Sequence, residues 1–153
     1  MVRDFKKFIE ENKLFNTNDN ILLAVSGGID SMVLCDLFLK SGYKFSLAHC
    51  NFHLRGEESN RDERFVTEYA KNNNIKLYKK EFDTYGYMKD NGKSLEMSAR
   101  ELRYDWFYEV LEKEHYELDF AKRSKVHGIT SHELIPYIYK SDENNKDNII
   151  YDP

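Results

Sequence analysis

Five apolar residues in a row, Ile21-Leu22-Leu23-Ala24-Val25, run straight into Ser26-Gly27-Gly28-Ile29-Asp30-Ser31, after which apolar residues recur at 33, 34, 37 and 38. The unbroken run reads as a strand buried on both faces, as in parallel sheets, and the spacing after it reads as a helix. Strand, glycine loop and helix in this order commit the segment to an α/β fold. Two adjacent glycines admit backbone angles closed to other residues and let an anion approach the main chain. The free N–H groups and dipole of the following helix attract that anion, and Ser26 and Ser31 add hydroxyls. Asp30 would repel a phosphate unless a divalent cation lay between them, which points to magnesium. A tight turn with a Ser or Asp cap accounts for the same residues without a ligand. Gly-Lys-Ser/Thr and G-x-G-x-x-G are both absent, which excludes the common P-loop and the dinucleotide fingerprint.

The length, 153 residues, suits one domain with a real core. With 33% charged residues, 14% aromatics and a formal net charge of -4, the composition is that of a soluble globular protein. No stretch of 18 apolar residues occurs, and Met1-Val2-Arg3-Asp4 leads directly into mixed charged sequence. A cytoplasmic protein with no signal peptide and no membrane partner is therefore expected. Proteins that grip nucleic acid over many phosphates show a basic surface, so if RNA is a substrate most of its binding surface must lie elsewhere. Cys35 and Cys50 lack paired spacing and read as buried free thiols.

Along the chain, Phe5, Phe8, Ile9 and Leu14 mark an amphipathic helix over residues 3–15. Ser41-Gly42 reads as a helix cap, and Lys44 to Cys50 as a second strand, parallel to the first in a right-handed βαβ unit. A helix from about 60 to 73 turns Phe65, Val66, Tyr69 and Ala70 inward, and residues 75–82 alternate as a third strand. A loop with Gly86 and Gly92 follows. Ser94 then caps a long helix with Leu95, Ala99, Leu102, Trp106 and Val110 on its core face. Residues 117–153 differ in character: short helices are expected near 118–121 and 130–133, a polar loop or disordered run over 140–148, and an edge strand at 149–151.

Three constellations carry chemistry. His49-Cys50-Asn51-Phe52-His53 falls where the second strand ends, the edge that forms ligand crevices in open α/β sheets. There the main-chain groups of Ala48 and His49 could read an adenine edge, although a polar turn accounts for His49 and His53 equally well. Arg55, in the charged segment 54–62, could clamp phosphate bidentately, while the rest of that segment reads as a solvated helix start. Glu96, Arg100 and Arg103 share one helix face. Arg100 is either half of a surface pair with Glu96 or a charge stabiliser for a nucleotide.

Ser26-Gly27-Gly28-Ile29-Asp30-Ser31 resembles the S-G-G-x-D-S signature of the N-type ATP pyrophosphatases, the PP-loop superfamily, which cleave ATP between its α and β phosphates to adenylate a substrate. With residues 49–59 and Ser94-Leu95-Glu96-Met97-Ser98-Ala99-Arg100-Glu101-Leu102-Arg103-Tyr104 in register, residues 1–116 resemble the N-terminal domain of the tRNA(Ile)-lysidine synthetase family. The resemblance implies an open parallel sheet flanked by helices, adenine nucleotide α-hydrolase-like and Rossmann-like. It also implies a carbon–nitrogen ligase that adenylates carbon 2 of the wobble cytidine of tRNA(Ile), after which lysine displaces AMP. ATP and magnesium are the implied cofactors. Ser26, Gly27, Gly28 and Ser31 would hold phosphate, Asp30 magnesium, and Arg100 would contact ATP, with Asp30 and Arg100 catalytic.

After residue 116 the family pattern should continue into a buried strand and a block close to A-H-H-x-x-D-x-x-E-T. Leu118-Asp119-Phe120-Ala121-Lys122-Arg123 stands there instead. The departure implies an incomplete sheet on that side and doubtful activity. It also leaves an edge to be covered by a tail strand such as residues 149–151 or by a second copy of the chain. The alternatives are another PP-loop enzyme, such as a tRNA thiolase or an amidating synthetase, and a non-catalytic nucleotide-binding or assembly module.

Overall fold

The computed structural model describes residues 1–113 and 138–140, the latter as backbone only. The elements are α1 (Val2–Glu11), β1 (Asn20–Ala24), α2 (Ile29–Ser41), β2 (Lys44–Asn51), α3 (Glu57–Asn72), β3 (Leu77–Glu81), α4 (Thr84–Asn91), α5 (Leu95–Lys113) and β4 (Ile138–Lys140). The sheet order is β3-β2-β1-β4. β1, β2 and β3 are parallel, with Ile21 opposite Phe45 and Leu47 opposite Leu77, whereas β4 runs antiparallel to β1 with Leu22 opposite Tyr139.

β1 is buried on both faces, as its composition requires. Ile21, Leu23 and Val25 join Phe5 and Ile9 of α1, Leu34, Leu37 and Phe38 of α2, and Val66 and Ala70 of α3 in one core. Leu22 and Ala24 face the other way, with Ala48, into a second core built on Tyr104, Trp106, Phe107, Val110 and Leu111 of α5. Complete burial of a residue such as Leu22 or Leu23 contributes about 1.5–3 kcal/mol, so β1 anchors both layers. Two caps behave as their residues dictate. Gly42 closes α2 in the left-handed conformation at φ 77°, and Ser94 Oγ accepts the Met97 N–H at 3.2 Å.

Several boundaries differ from the periodicity. α1 ends at Glu11 rather than near 15, although Leu14 stays buried, and β3 spans only Leu77–Glu81. α3 starts at Glu57 rather than at about 60, because Gly56 at φ 57° makes the turn and the carboxylates of Glu57 and Glu58 suit a first turn. The segment read as a loop with Gly86 is the helix α4. Asp83 caps it by accepting the Gly86 N–H at 3.0 Å, in a contact where a Cβ on residue 86 would lie 2.3 Å from the carboxylate. Phe65 and Leu95, read as inward, are exposed, whereas Val66 and Ala70 of α3 and Trp106 and Val110 of α5 are buried as expected.

The edge beside β1 is taken by Ile138–Lys140; the strand expected at 149–151 lies outside the described residues, as do 117–137 and 141–148. Among the described residues no helix is long and apolar enough to cross a membrane.

Candidate nucleotide site

Where β1 ends, the Val25 N–H still reaches the Ala48 carbonyl at 2.9 Å. The chain then leaves the sheet at Ser26, and Gly27 takes φ 90°, a left-handed conformation that glycine adopts without strain. Gly28 is extended and forms the N-cap of α2 without any side-chain cap bond. Hydroxyls hold this loop in shape. Ser26 Oγ accepts from Gly28 N–H at 3.1 Å, and Ser31 Oγ accepts from Gly27 N–H at 3.2 Å while donating to the Gly28 carbonyl at 2.9 Å. With the Ser31 proton committed, Ser26 is the donor across the 3.3 Å between the two hydroxyls. Ser26 and Ser31 therefore shape the loop as well as flank it. Asp30 is exposed in the first turn of α2, where the helix dipole favours a carboxylate.

Beside the loop, at the carboxyl ends of β1 and β2, lies a cleft of about 340 Å³. Its floor contains Ala24 and Ala48, register partners whose methyl groups leave room that larger residues would fill. Ser26, His49, Arg55 and Asp62 line one side, and Phe52, Arg103 and Phe107 of the α5 layer line the other. His49 is only 3% exposed. Burial pushes its pKa down, opposed by the hydrogen bond to Val25, so the neutral ring donates from Nδ1 to the Val25 carbonyl at 2.8 Å and leaves Nε2 buried without a partner. Asn51 ties the strand end to α3, accepting from the His53 N–H at 3.0 Å and donating to Asn60 at 3.2 Å. Arg55 pairs with Asp62 and lies 4.0 Å from Glu58, so any phosphate it binds competes with α3 carboxylates.

The fold thus places Ser26, Ala48, His49 and Arg55 in the cleft, with Gly27, Gly28, Asp30 and Ser31 in the adjoining loop. Ala48 contributes its side chain to the floor while its carbonyl is engaged by Val25. Arg100 is exposed on α5, its guanidinium 4.9 Å from the Tyr104 ring centroid, and it is Arg103 that reaches the cleft. Asp62, Phe52, Arg103 and Phe107 had no assigned role in the sequence. Arg103 left one sequence signal, since it follows Arg100 by three positions, but only packing shows which of the two faces the cleft.

A family model described as the PP-loop domain matches residues 1–123. The chain belongs to the PP-loop domain family. Curated relatives of this PP-loop domain include tRNA(Ile)-lysidine synthases of Bacteroides thetaiotaomicron, 48% identical over 70% of this chain and 25% of the relative, and Parabacteroides distasonis, 42% identical over 74% and 26%. A third, from Petrotoga mobilis, is 40% identical over 76% of this chain and 40% of the relative. The chain thus spans between a quarter and two fifths of the length of these relatives. Family membership accounts for the open parallel sheet and points to ATP as the ligand. The two cysteines are free and lie in opposite layers, Cys35 in the α1–α2–α3 core and Cys50 packed against the α5 core.

Proposed function

We propose that this PP-loop domain binds ATP with magnesium at the loop of residues 26–31 and serves the adenylation step of a tRNA(Ile)-lysidine synthase. The observation that carries the reading is the junction of that loop, at the N-terminus of α2, with a mostly apolar cleft at the carboxyl edge of β1 and β2. The phosphates lie along the loop and the first turn of α2, and the base occupies the space over Ala24 and Ala48.

Asp30 is the residue that would hold magnesium. Its exposed carboxylate at the loop fits an ion that takes one or two protein carboxylates and completes its shell with water and phosphate oxygens. No group of three or more His, Cys, Asp or Glu converges among the described residues, so the donor set suits a metal shared with phosphate and not an all-protein cage. Magnesium supplies charge neutralisation on pyrophosphate as it leaves. Arg55 turns from Asp62 to the phosphates, Arg100 adds positive charge from α5, and Gly27 and Gly28 allow the close approach. The Cys50 thiol, pushed up to about 12 mainly by burial, is no nucleophile. In this reading the attacking group is the substrate's: the oxygen on carbon 2 of the wobble cytidine attacks the α-phosphorus as pyrophosphate leaves, and the lysine amine then attacks carbon 2 as AMP leaves with that oxygen.

A second reading, nucleotide binding without turnover, draws support from Leu118-Asp119-Phe120-Ala121 standing where the family's acidic block is expected. A thiolase reading loses ground because Cys35 and Cys50 are separated by the sheet. The deciding assay supplies ATP, magnesium, lysine and unmodified tRNA(Ile) and follows pyrophosphate and AMP. Release of both with lysine incorporation supports the synthase, ATP binding without release supports the module, and no ATP binding overturns both.

A further inference from the structure

The side chain of His49 decides which main-chain groups face the cleft. Along β2, the Leu47 N–H donates to the Lys76 carbonyl at 2.8 Å and the Phe82 N–H donates to the Asn51 carbonyl at 2.9 Å, so the amide edges of residues 47, 49 and 51 turn to β3. Ala48 turns the other way, since the Val25 N–H reaches its carbonyl at 2.9 Å, and so does Cys50 two residues on. The next rung of the β1–β2 ladder would run from the Cys50 N–H to the Val25 carbonyl. That carbonyl accepts instead from His49 Nδ1 at 2.8 Å, at the point where the chain leaves β1 for the glycine loop. The ring that takes the place of the rung is buried, so water does not compete for the carbonyl. Among the described residues the Cys50 N–H and C=O have no main-chain partner, and Cys50 is a half-buried residue of the cleft lining. The open strand edge of the cleft is therefore that of Cys50, one residue beyond His49.

We propose that His49 is a positioning residue for the nucleotide base: its ring closes the β1–β2 ladder at Val25 and so keeps the main-chain edge of Cys50 open to the base. An N–H beside a C=O matches a purine that carries an acceptor at N1 next to a 6-amino donor. It mismatches guanine, whose N1–H and O6 reverse the pair. The class of ligand is a 6-aminopurine nucleotide; that a nucleotide binds here at all rests on the function proposed above. Without the ring, the Val25 carbonyl accepts from the Cys50 N–H, the ladder lengthens by one rung and the edge is lost to the base.

The test compares ATP, GTP and inorganic tripolyphosphate, which carries the phosphates without a base, by calorimetry with magnesium on the wild type, His49→Leu and His49→Asn. The wild type is expected to prefer ATP to both others. Leu offers no donor to Val25, so in His49→Leu both hydrogen bonds to the base go and ATP affinity falls by about fivefold to a hundredfold, while tripolyphosphate affinity holds. His49→Asn, whose amide can donate to Val25, recovers most of the preference. An equal loss for ATP and tripolyphosphate in His49→Leu is what a merely structural role would give, and it overturns the proposal. So does an unchanged ATP affinity, or an Asn variant no better than Leu. If His49→Leu does not fold, amide exchange in the wild type decides. The Cys50 N–H should be protected by ATP and not by tripolyphosphate; no protection by ATP, or exchange already as slow as that of the Ala48 N–H without ligand, overturns the proposal equally. A wild type that binds neither ATP nor tripolyphosphate sinks the function and this inference together, whereas one that binds ATP no tighter than GTP sinks only this inference.

Discussion

Gly27 packs directly against Asp62: a Cβ on Gly27, at φ 90°, would lie 3.0 Å from the Asp62 Cβ and 3.2 Å from the Asp62 carbonyl oxygen. The glycine loop is therefore seated on α3, and its shape depends on a residue with no side chain. Gly27→Ala combines left-handed strain, on the order of 1–3 kcal/mol, with a clash against backbone that cannot swing away. The expected result is a lower urea midpoint together with at least tenfold weaker ATP binding.

The same contact bears on Arg55, which the α3 carboxylates hold in the absence of phosphate. Arg55 is exposed and Asp62 half-buried, and a pair with one member in solvent is worth about 0–1 kcal/mol. Asp62→Asn should release Arg55 and tighten ATP by up to about fivefold, while Arg55→Ala should weaken it. Calorimetry on the two variants checks both signs, and tightening in Arg55→Ala would refute the assignment.

Asp30→Ala should remove the magnesium dependence of nucleotide binding. The comparison is ATP affinity with magnesium and with EDTA, which should converge in the variant and differ in the wild type. An unchanged magnesium effect would show that Asp30 only serves the α2 dipole.

His49 links stability to pH. Burial holds its pKa below the ordinary 6.5 in the folded protein, so the unfolded chain takes up the proton first as pH falls. The stability held above about pH 6.5 is therefore lost progressively below it, toward the folded-state pKa. Urea midpoints at pH 7.5 and pH 5.5 should separate for the wild type more than for His49→Asn, whose amide can donate to the Val25 carbonyl without titrating in this range.

Cys35 and Cys50 both have thiols pushed up to about 12 by burial. At pH 8 each should alkylate on the order of a thousandfold more slowly in the native protein than in the urea-unfolded chain. Rapid native labelling of Cys50 would mean that the cleft opens more than the packing around Phe52 and Phe107 allows.

Much of this was legible in the order of residues. The run from Ile21 to Val25 is apolar at every position, which only a strand covered on both faces satisfies, and both cores are built on it. Gly42 and Ser94 act where capping chemistry predicts. The helix α4 escaped notice because Gly86, read as a breaker, is the residue that lets Asp83 cap it. The faces of α2, α3 and α5 hold at Leu34, Leu37, Phe38, Val66, Ala70, Trp106 and Val110 and fail only at their margins, where Val33, Phe65 and Leu95 are apolar yet exposed. A pattern of apolar residues says that a face exists, and the neighbours decide where its centre lies.

The sequence by itself determined the strand–loop–helix turn of residues 21–31, since its glycines and hydroxyls are consecutive and their chemistry is local. The edge that carries the cleft was legible too, but the pairing of its walls was decided by tertiary structure. Ala24 meets Ala48 through strand register, Asp62 meets Gly27 through the seating of α3, and Arg103 rather than Arg100 meets Phe52 through the rotation of α5. Each of these contacts joins residues at least 24 positions apart, so no spacing rule along the chain encodes it.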